Sequence, residues 1–207
     1  MDINIPDLRN DIKIICPELL TINSNILLFT NYRSGSNSLG LILGHLYRIR
    51  FFTELLGYPN LIPEAKKFIK VNQFFVTNIM PDFLKEYNTS FLSNIPSFKI
   101  NLIRQEKVAQ ITSLYITELI CWQSPPPLPP YTVNLDQNTI NRTVKHFIYL
   151  DNLRKTDNTK YDLTLTFENI KPLFKYSGQE EFTKPENYQE IYDAVSLKYH
   201  HEIDSLP

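Results

Sequence analysis

The sequence predicts an α/β fold of three layers, with a central, mostly parallel sheet flanked by helices. The first observation behind this prediction is that short apolar strand signals alternate with amphipathic helix signals, a pattern typical of βαβ units. The second is the length of 207 residues, which suits a single domain over residues 1–207, with its core at about 25–170 and a helical segment at about 171–207. The third is an ordinary globular composition, 43% hydrophobic and 21% charged.

The first half of the chain contains three predicted strands. Residues 26–31 are almost continuously apolar and predict a buried strand, and residues 37–47 that follow have the apolar pattern of a helix. Residues 74–76 predict a short strand, followed by a helix at 81–87 with a proline in its first turn. Residues 98–103 alternate between apolar and polar and predict the third strand.

The second half of the chain is mainly helical. Residues 106–121 predict a helix, and a second long helix, capped by Asp136, extends to about residue 153. The proline-rich segment 124–130 between them excludes helix and central strand, so it is expected to be an extended connector. Residues 161–167 alternate as a strand does, and a last helix is expected at 186–199.

Charge and cysteine content narrow the class of function. The net charge is −1 and the isoelectric point about 6.4, so the chain lacks the basic excess expected of a nucleic-acid-binding protein. Cys16 and Cys121 are too few for a disulfide framework, and no Cys/His cluster has metal-site spacing. The chain start resembles no signal peptide, and apolar runs fall far short of the ~20 residues that span a bilayer. We therefore expect a cytoplasmic protein without a membrane span.

The segment Arg33-Ser34-Gly35-Ser36 lies between the first strand and the first helix and has the composition of an anion-binding loop. Gly35 permits a tight turn, and the N–H groups at the start of the following helix have no partners within the helix. Arg33 adds a fixed fork of donors, and the hydroxyl groups of Ser34, Ser36 and Ser38 add more. A plain strand-to-helix turn with an exposed arginine is the alternative.

An arginine and a serine mark the next important junction of a strand and a helix. Arg104 follows the strand at 98–103, at the end where parallel sheets bind ligands, and Ser113 lies nine residues later within the helix. Together with the Arg33 loop, this pattern resembles the PAPS-dependent sulfotransferases. In that family the first element cradles the 5′ phosphosulfate of PAPS (3′-phosphoadenosine 5′-phosphosulfate), and the second binds its 3′ phosphate. Residues 108–115 are especially similar to the branch that contains trehalose 2-sulfotransferase.

The resemblance implies a P-loop-like sulfotransferase fold. It also implies transfer of a sulfuryl group from PAPS to a hydroxyl of a small carbohydrate, glycolipid or related acceptor, without a metal ion. Glu54 resembles the branch's glutamate in its spacing from Arg33, and as the general base it would take the acceptor's proton. Arg33 would stabilise the charge that develops during transfer. The residues implied to bind the nucleotide are Arg33, Ser34, Gly35, Ser36, Asn37, Ser38, Arg104 and Ser113.

Alternatives remain for the whole chain and for single residues. The family commonly has Pro where Tyr32 stands and usually Thr where Asn37 stands, which supports a protein of this fold that binds a nucleotide or a partner without catalysis. A P-loop kinase is a weaker alternative, because the loop lacks the lysine of a Walker A motif. Glu54 is alternatively a surface carboxylate, Arg104 a structural ion-pair partner, and Ser113 a small residue for helix packing.

Overall fold

The fold is built on a parallel five-stranded sheet. The computed structural model describes residues 3–55, 61–70, 73–82, 95–120, 130–179 and 183–205. The strands are β1 (Asn25–Thr30), β2 (Arg50–Phe52), β3 (Phe75–Ile79), β4 (Ser97–Ile103) and β5 (Leu163–Thr166). Their order in the sheet is β2-β3-β1-β4-β5, and each neighbouring pair is parallel. The predicted α/β class with a mostly parallel sheet is confirmed.

Helices occupy most of the remaining described chain. They are α1 (Ile5–Ile15), α2 (Ser36–Tyr47), α3 (Ile62–Lys70), α4 (Lys107–Ile120), α5 (Gln137–Thr156), α6 (Phe167–Ile170) and α7 (Tyr188–Asp204). Two 3₁₀ segments, Pro17–Leu20 and Lys171–Tyr176, accompany them. None of the helices within the described ranges is long and apolar enough to cross a membrane.

Helix α1 and strand β2 are among the elements of this fold that were not predicted from the sequence. Helix α1 follows an Asn4 cap and buries only Leu8 and Ile12, so its apolar signal is sparse. Strand β2 has three residues and begins with the exposed Arg50, which is too short for a clear alternation. The predicted connector at 124–130, except Pro130, and most of the helix expected at 81–87 lie outside the described residues.

The chain divides into two compact units. The first consists of Met1–Gln105 with Asp157–Gln179 and contains the whole sheet, whereas the second consists of Glu106–Thr156 with Glu180–Pro207 and contains α4, α5 and α7. The single domain expected over residues 1–207 stays a prediction.

Strand β1 lies at the centre of the first unit, and all six of its residues are buried. Because successive side chains of a strand point to opposite faces, Ile26 and Leu28 pack in the core cluster that includes α1 and α2. Leu27 and Phe29 pack in a second cluster with Ala65 of α3. Helices therefore cover both faces of the sheet, which is the three-layer arrangement, and this explains the continuous apolar run of the first predicted strand.

The second unit confirms the predicted helix cap at Asp136. The Asp136 carboxylate accepts from the backbone N–H of Asn138 at 3.1 Å and from the Thr139 hydroxyl at 2.5 Å. These hydrogen bonds lower the pKa of Asp136, since they favour its charged form. The Tyr115 hydroxyl accepts from the Asp136 N–H at 2.9 Å and donates to the Asn134 carbonyl at 2.9 Å, which fixes the start of α5.

Candidate functional site

The sheet topology places a ligand crevice at the carboxyl ends of β1 and β4. Strand β1 leads through α2 to β2 at one edge of the sheet, whereas β4 leads to β5 at the other edge. Adjacent strands whose connections depart in opposite directions leave a crevice between their carboxyl ends, where open α/β sheets bind ligands. The Arg33 loop follows β1 and Arg104 follows β4, so two elements predicted from the sequence lie at this crevice.

The Arg33 loop turns sharply into α2 through two residues with left-handed backbone. Arg33 has φ 56° and Gly35 has φ 83°. A Cβ atom at Gly35 would come within 2.6 Å of the Phe174 ring and 2.9 Å of the Phe167 ring, so both backbone and packing require glycine there. Helix α2 begins at Ser36, and its first turn presents N–H groups without intrahelical partners to the carboxyl edge of the sheet.

Buried polar side chains line the base of this loop. The Ser34 hydroxyl is hydrogen-bonded to the Thr30 hydroxyl, and Asn31 Oδ1 accepts from the Tyr32 N–H at 3.2 Å. Asn31 is only 3% exposed, and its Nδ2 has no hydrogen-bond partner within the described part of the chain. A buried amide donor of this kind beside a helix start suits an anionic ligand. Asn31 was not among the residues predicted from the sequence.

Arg104 joins the two elements predicted to bind the nucleotide. Its Nη1 donates to the backbone carbonyl of Arg33 at 3.1 Å. Its guanidinium also lies over the ring of Phe167, with 4.4 Å between Cζ and the ring centroid. Since Phe167 also packs against Gly35, one aromatic ring supports both Arg104 and the turn of the loop.

Ser113 belongs to a different unit from Arg104. It lies in α4, its side chain is buried, and its carbonyl accepts from the Thr117 hydroxyl at 2.7 Å. Joint binding of the 3′ phosphate by Arg104 and Ser113 therefore stays a prediction.

Glu54 is brought to the loop by a buried asparagine of β3. Glu54 follows β2 with φ 49°, and its backbone N–H donates to Asn78 Oδ1. Asn78 is fully buried, and its Nδ2 donates to Asn37 Oδ1 at 3.0 Å and to Ser36 Oγ at 3.3 Å. A single side-chain amide thus connects the candidate base to the first turn of α2. Asn78 has no signal in the sequence, because its partners lie at least 24 residues away.

The Glu54 carboxyl group is half-buried. Burial raises its pKa above the ordinary glutamate value, and the nearby negative charge of Asp82 raises it further. Asp82 in turn accepts a hydrogen bond from the Tyr32 hydroxyl at 2.8 Å. Glu54 follows an edge strand of the parallel sheet, and a carboxyl group with a raised pKa at the carboxyl ends of such strands is a candidate proton acceptor.

Two predicted loop residues have side chains engaged within the protein. The Asn37 amide oxygen accepts from Asn78, and the Ser38 hydroxyl donates to Gln179 Oε1 at 2.7 Å. The groups that could bind an anion at this site are therefore the exposed Arg33, the backbone N–H groups of the α2 start and the Asn31 amide. The group that could accept a proton is the Glu54 carboxylate. Among the described residues, no group of three or more His, Cys, Asp or Glu side chains is placed to hold a metal ion.

Similarity to known proteins is slight. No protein-family model matches the sequence, and no curated protein matches it. The crystal structure of an uncharacterized protein from Eubacterium ventriosum aligns over 100% of its own chain with 76% of this one, at 13% identity and a TM-score of 0.44.

Proposed function

We propose that this protein is a PAPS-dependent sulfotransferase that acts on a hydroxyl of a small carbohydrate, glycolipid or related acceptor. The observation that carries the proposal is the hydrogen bond from Arg104 to the Arg33 carbonyl at the topological switch point of the sheet. It brings together the two sequence elements that, by resemblance, would hold the two ends of one nucleotide. The supporting observations are the buried Asn31 amide, the α2 start and the raised pKa of Glu54.

Each residue has a distinct part in the proposed reaction. PAPS would supply an activated sulfuryl group, and adenosine 3′,5′-bisphosphate would be released. Arg33 and the N–H groups at the start of α2 would stabilise negative charge on the leaving phosphate and on the transferred oxygens. Glu54 would accept the acceptor's hydroxyl proton, and its raised pKa makes it a stronger proton acceptor once it is ionised. Activity is therefore expected to rise with pH through the pKa of Glu54.

Calorimetry with adenosine 3′,5′-bisphosphate tests the nucleotide site directly. We expect the wild-type protein to bind it and Arg104→Ala to bind it more weakly by about 1.5–3 kcal/mol, the usual scale of a charged hydrogen bond. The matched control is Arg9→Ala, which removes an exposed arginine of α1 and leaves the loop intact. Absence of binding by a well-folded wild-type sample would contradict the proposal, and an unchanged affinity in Arg104→Ala would remove Arg104 from the site.

The second candidate function is nucleotide binding without catalysis. It is favoured by Asn37, which stands where the family usually has a threonine hydroxyl and whose amide oxygen is engaged by Asn78. Glu54→Gln separates the two functions. In a sulfotransferase it keeps bisphosphate binding and loses transfer of label from radiolabelled PAPS, because an amide does not accept the acceptor's proton. Binding without transfer by the wild-type protein across a panel of sugars and glycolipids favours the second candidate.

A further inference from the structure

We propose that two hydrogen-bonded pairs, Asn37–Asn78 and Tyr32–Asp82, form a clamp that holds the Arg33 loop against the end of β3 and positions Glu54 beside it. We call this set of four residues the β3 clamp. The inference rests on the proposed function, since it assigns these residues as positioning residues for the candidate base. It goes beyond the resemblance, because Tyr32 and Asn37 are the loop residues that depart from the family pattern.

The first half of the β3 clamp is built on the orientation of one amide. Asn78 Oδ1 accepts from the Glu54 N–H, so its Nδ2 must face the loop, where it donates to Asn37 Oδ1 at 3.0 Å. Asn78 is 0% exposed, and its position opposite Leu28 in the β1–β3 ladder fixes its backbone next to the central strand of the sheet. Neither contact is available to an aliphatic side chain of the same size, so the asparagine itself sets the distance between Glu54 and α2.

The second half of the β3 clamp holds the entrance of the loop. Tyr32 directly precedes Arg33, and its hydroxyl donates to Asp82 Oδ2 at 2.8 Å, three residues beyond the end of β3. Asp82 is the charged side chain whose field reaches the Glu54 carboxyl group. The two pairs thus attach the loop on both sides of Arg33, one before the turn and one in the first turn of α2.

The backbone conformation of Glu54 explains why a hydrogen bond is needed to hold this residue in place. A glutamate with φ 49° is in the left-handed region, where a residue with a Cβ is disfavoured by ~1 kcal/mol or more. The hydrogen bond to Asn78 offsets this penalty and keeps the carboxyl group half-buried near Asp82. Without it, Glu54 is free to relax to an ordinary backbone conformation and to turn towards water.

Hydrogen exchange in the ligand-free protein tests the first half of the clamp. We expect the Glu54 amide to exchange at least about tenfold faster in Asn78→Ala, the change in local opening expected for the loss of one hydrogen bond. Since Asn78 is fully buried, its replacement can also destabilise the whole fold, so Asn37→Ala is the second variant. It removes only the acceptor in the loop and is expected to speed amide exchange at the α2 start and at Glu54 together. The matched control, Asn10→Ala, changes an exposed asparagine of α1 and should leave the exchange of Glu54 unaltered.

Titration of the Glu54 carboxyl group by carbon NMR tests the second half. We expect Asp82→Asn to lower the pKa of Glu54, because the like charge is removed, and Tyr32→Phe to lower it as well, because Asp82 is released. Tyr149→Phe, at an exposed tyrosine of α5, is the matched control and should leave it unaltered. Because Tyr32→Phe leaves every charge in place, a lower pKa of Glu54 in that variant reports a change in the position of Asp82.

The outcomes separate the β3 clamp from the proposed function. A Glu54 amide that exchanges as slowly in Asn78→Ala and Asn37→Ala as in the wild type overturns the clamp, as does an unchanged pKa of Glu54 in Tyr32→Phe. Neither measurement uses a nucleotide. If both succeed while the wild-type protein fails to bind adenosine 3′,5′-bisphosphate, the clamp stands and the sulfotransferase proposal fails.

Discussion

Glu54 in the first unit is half-buried and Asp151 in the second is buried, and their surroundings shift their pKa values in opposite directions. Burial and the charge of Asp82 raise the pKa of Glu54. Burial also raises that of Asp151, but the charge of Lys107 and the contacts with Lys155 and Arg154 outweigh burial and lower it. The Glu54 carboxyl group lies near another negative charge, whereas the Asp151 carboxylate is surrounded by positive charges.

The Asp151 cluster has the features of a structural ion network. Asp151 Oδ1 lies 3.2 Å from Lys107 Nζ and 3.4 Å from Arg154 Nη2, and Oδ2 lies 3.1 Å from Lys155 Nζ. Burial lowers the pKa of Lys107, and the Asp151 charge opposes that shift, so each group keeps the other ionised. The network joins the start of α4 to the last turn of α5.

This difference shows that burial alone does not distinguish a carboxyl group that is a candidate for function from a structural one. The folded pKa of Glu54 lies above its unfolded value, so its effect on stability is unfavourable and grows as the pH rises through the interval between the two values. The folded pKa of Asp151 lies below its unfolded value, so its contribution is present above the unfolded value and is lost as the pH falls through the folded one. A carboxyl group whose charged form lowers the stability of the folded protein is a better candidate for function than one whose charged form raises it.

The largest effect is expected from Asp151→Asn. This variant removes the carboxylate that Lys107 and Arg154, whose side chains are 22% and 13% exposed, both contact. Removing one partner of a buried ion pair destabilises by about 3–5 kcal/mol, because the remaining charge stays buried. Urea unfolding at neutral pH measures the loss. The matched control is Asp193→Asn, an exposed aspartate of α7, for which a change within about 0.5 kcal/mol is expected. Equal losses in the two variants would show that the network contributes nothing specific.

A smaller effect of opposite sign is expected from Glu54→Gln. The neutral amide removes the cost of burying a charge and also the repulsion by Asp82, so the ligand-free protein should gain about 1 kcal/mol at neutral pH, the scale of one partly solvated pair of like charges. The gain should vanish below pH ~4, where the wild-type carboxyl group is protonated in the unfolded protein as well as in the folded one. Unfolding midpoints measured across this pH range give both results. Glu186→Gln, at an exposed glutamate, controls for the loss of one negative charge. A variant less stable than the wild type at neutral pH would place Glu54 among the structural carboxylates.

Local signals explain how much of the fold could be predicted. Strand β1 is buried on both faces, so six consecutive side chains had to suit an interior, and the sequence shows this directly. The Asp136 cap depends on contacts within three residues, so it was also visible. Strand β5 was predicted as 161–167 but begins at Leu163 and ends at Thr166, because the Thr166 hydroxyl accepts from the Asn169 N–H at 3.4 Å and starts α6.

The candidate site could be predicted only where its residues carry their own chemical signal. Arg33 and Arg104 did, and the structure joins them at 3.1 Å. Asn31 and Asn78 did not, because asparagine is common in turns and strand ends and its role depends on partners distant in the chain. Asn78 and Asn37 are 41 residues apart, and Tyr32 and Asp82 are 50 residues apart, so no local pattern could pair them.

The smallest effect is expected from Lys155→Ala, which sharpens the comparison within the Asp151 network. Lys155 contacts the same carboxylate at 3.1 Å, but its side chain is 65% exposed. Water and salt screen such a pair, so the loss should be about 0.3–0.5 kcal/mol and should disappear in high salt. Chemical unfolding at low and high ionic strength measures this, with Lys13→Ala, an exposed lysine in the last turn of α1, as the control. A loss above ~2 kcal/mol that persists in high salt would mean that Lys155, rather than the buried Lys107 and Arg154, holds Asp151 in its charged form.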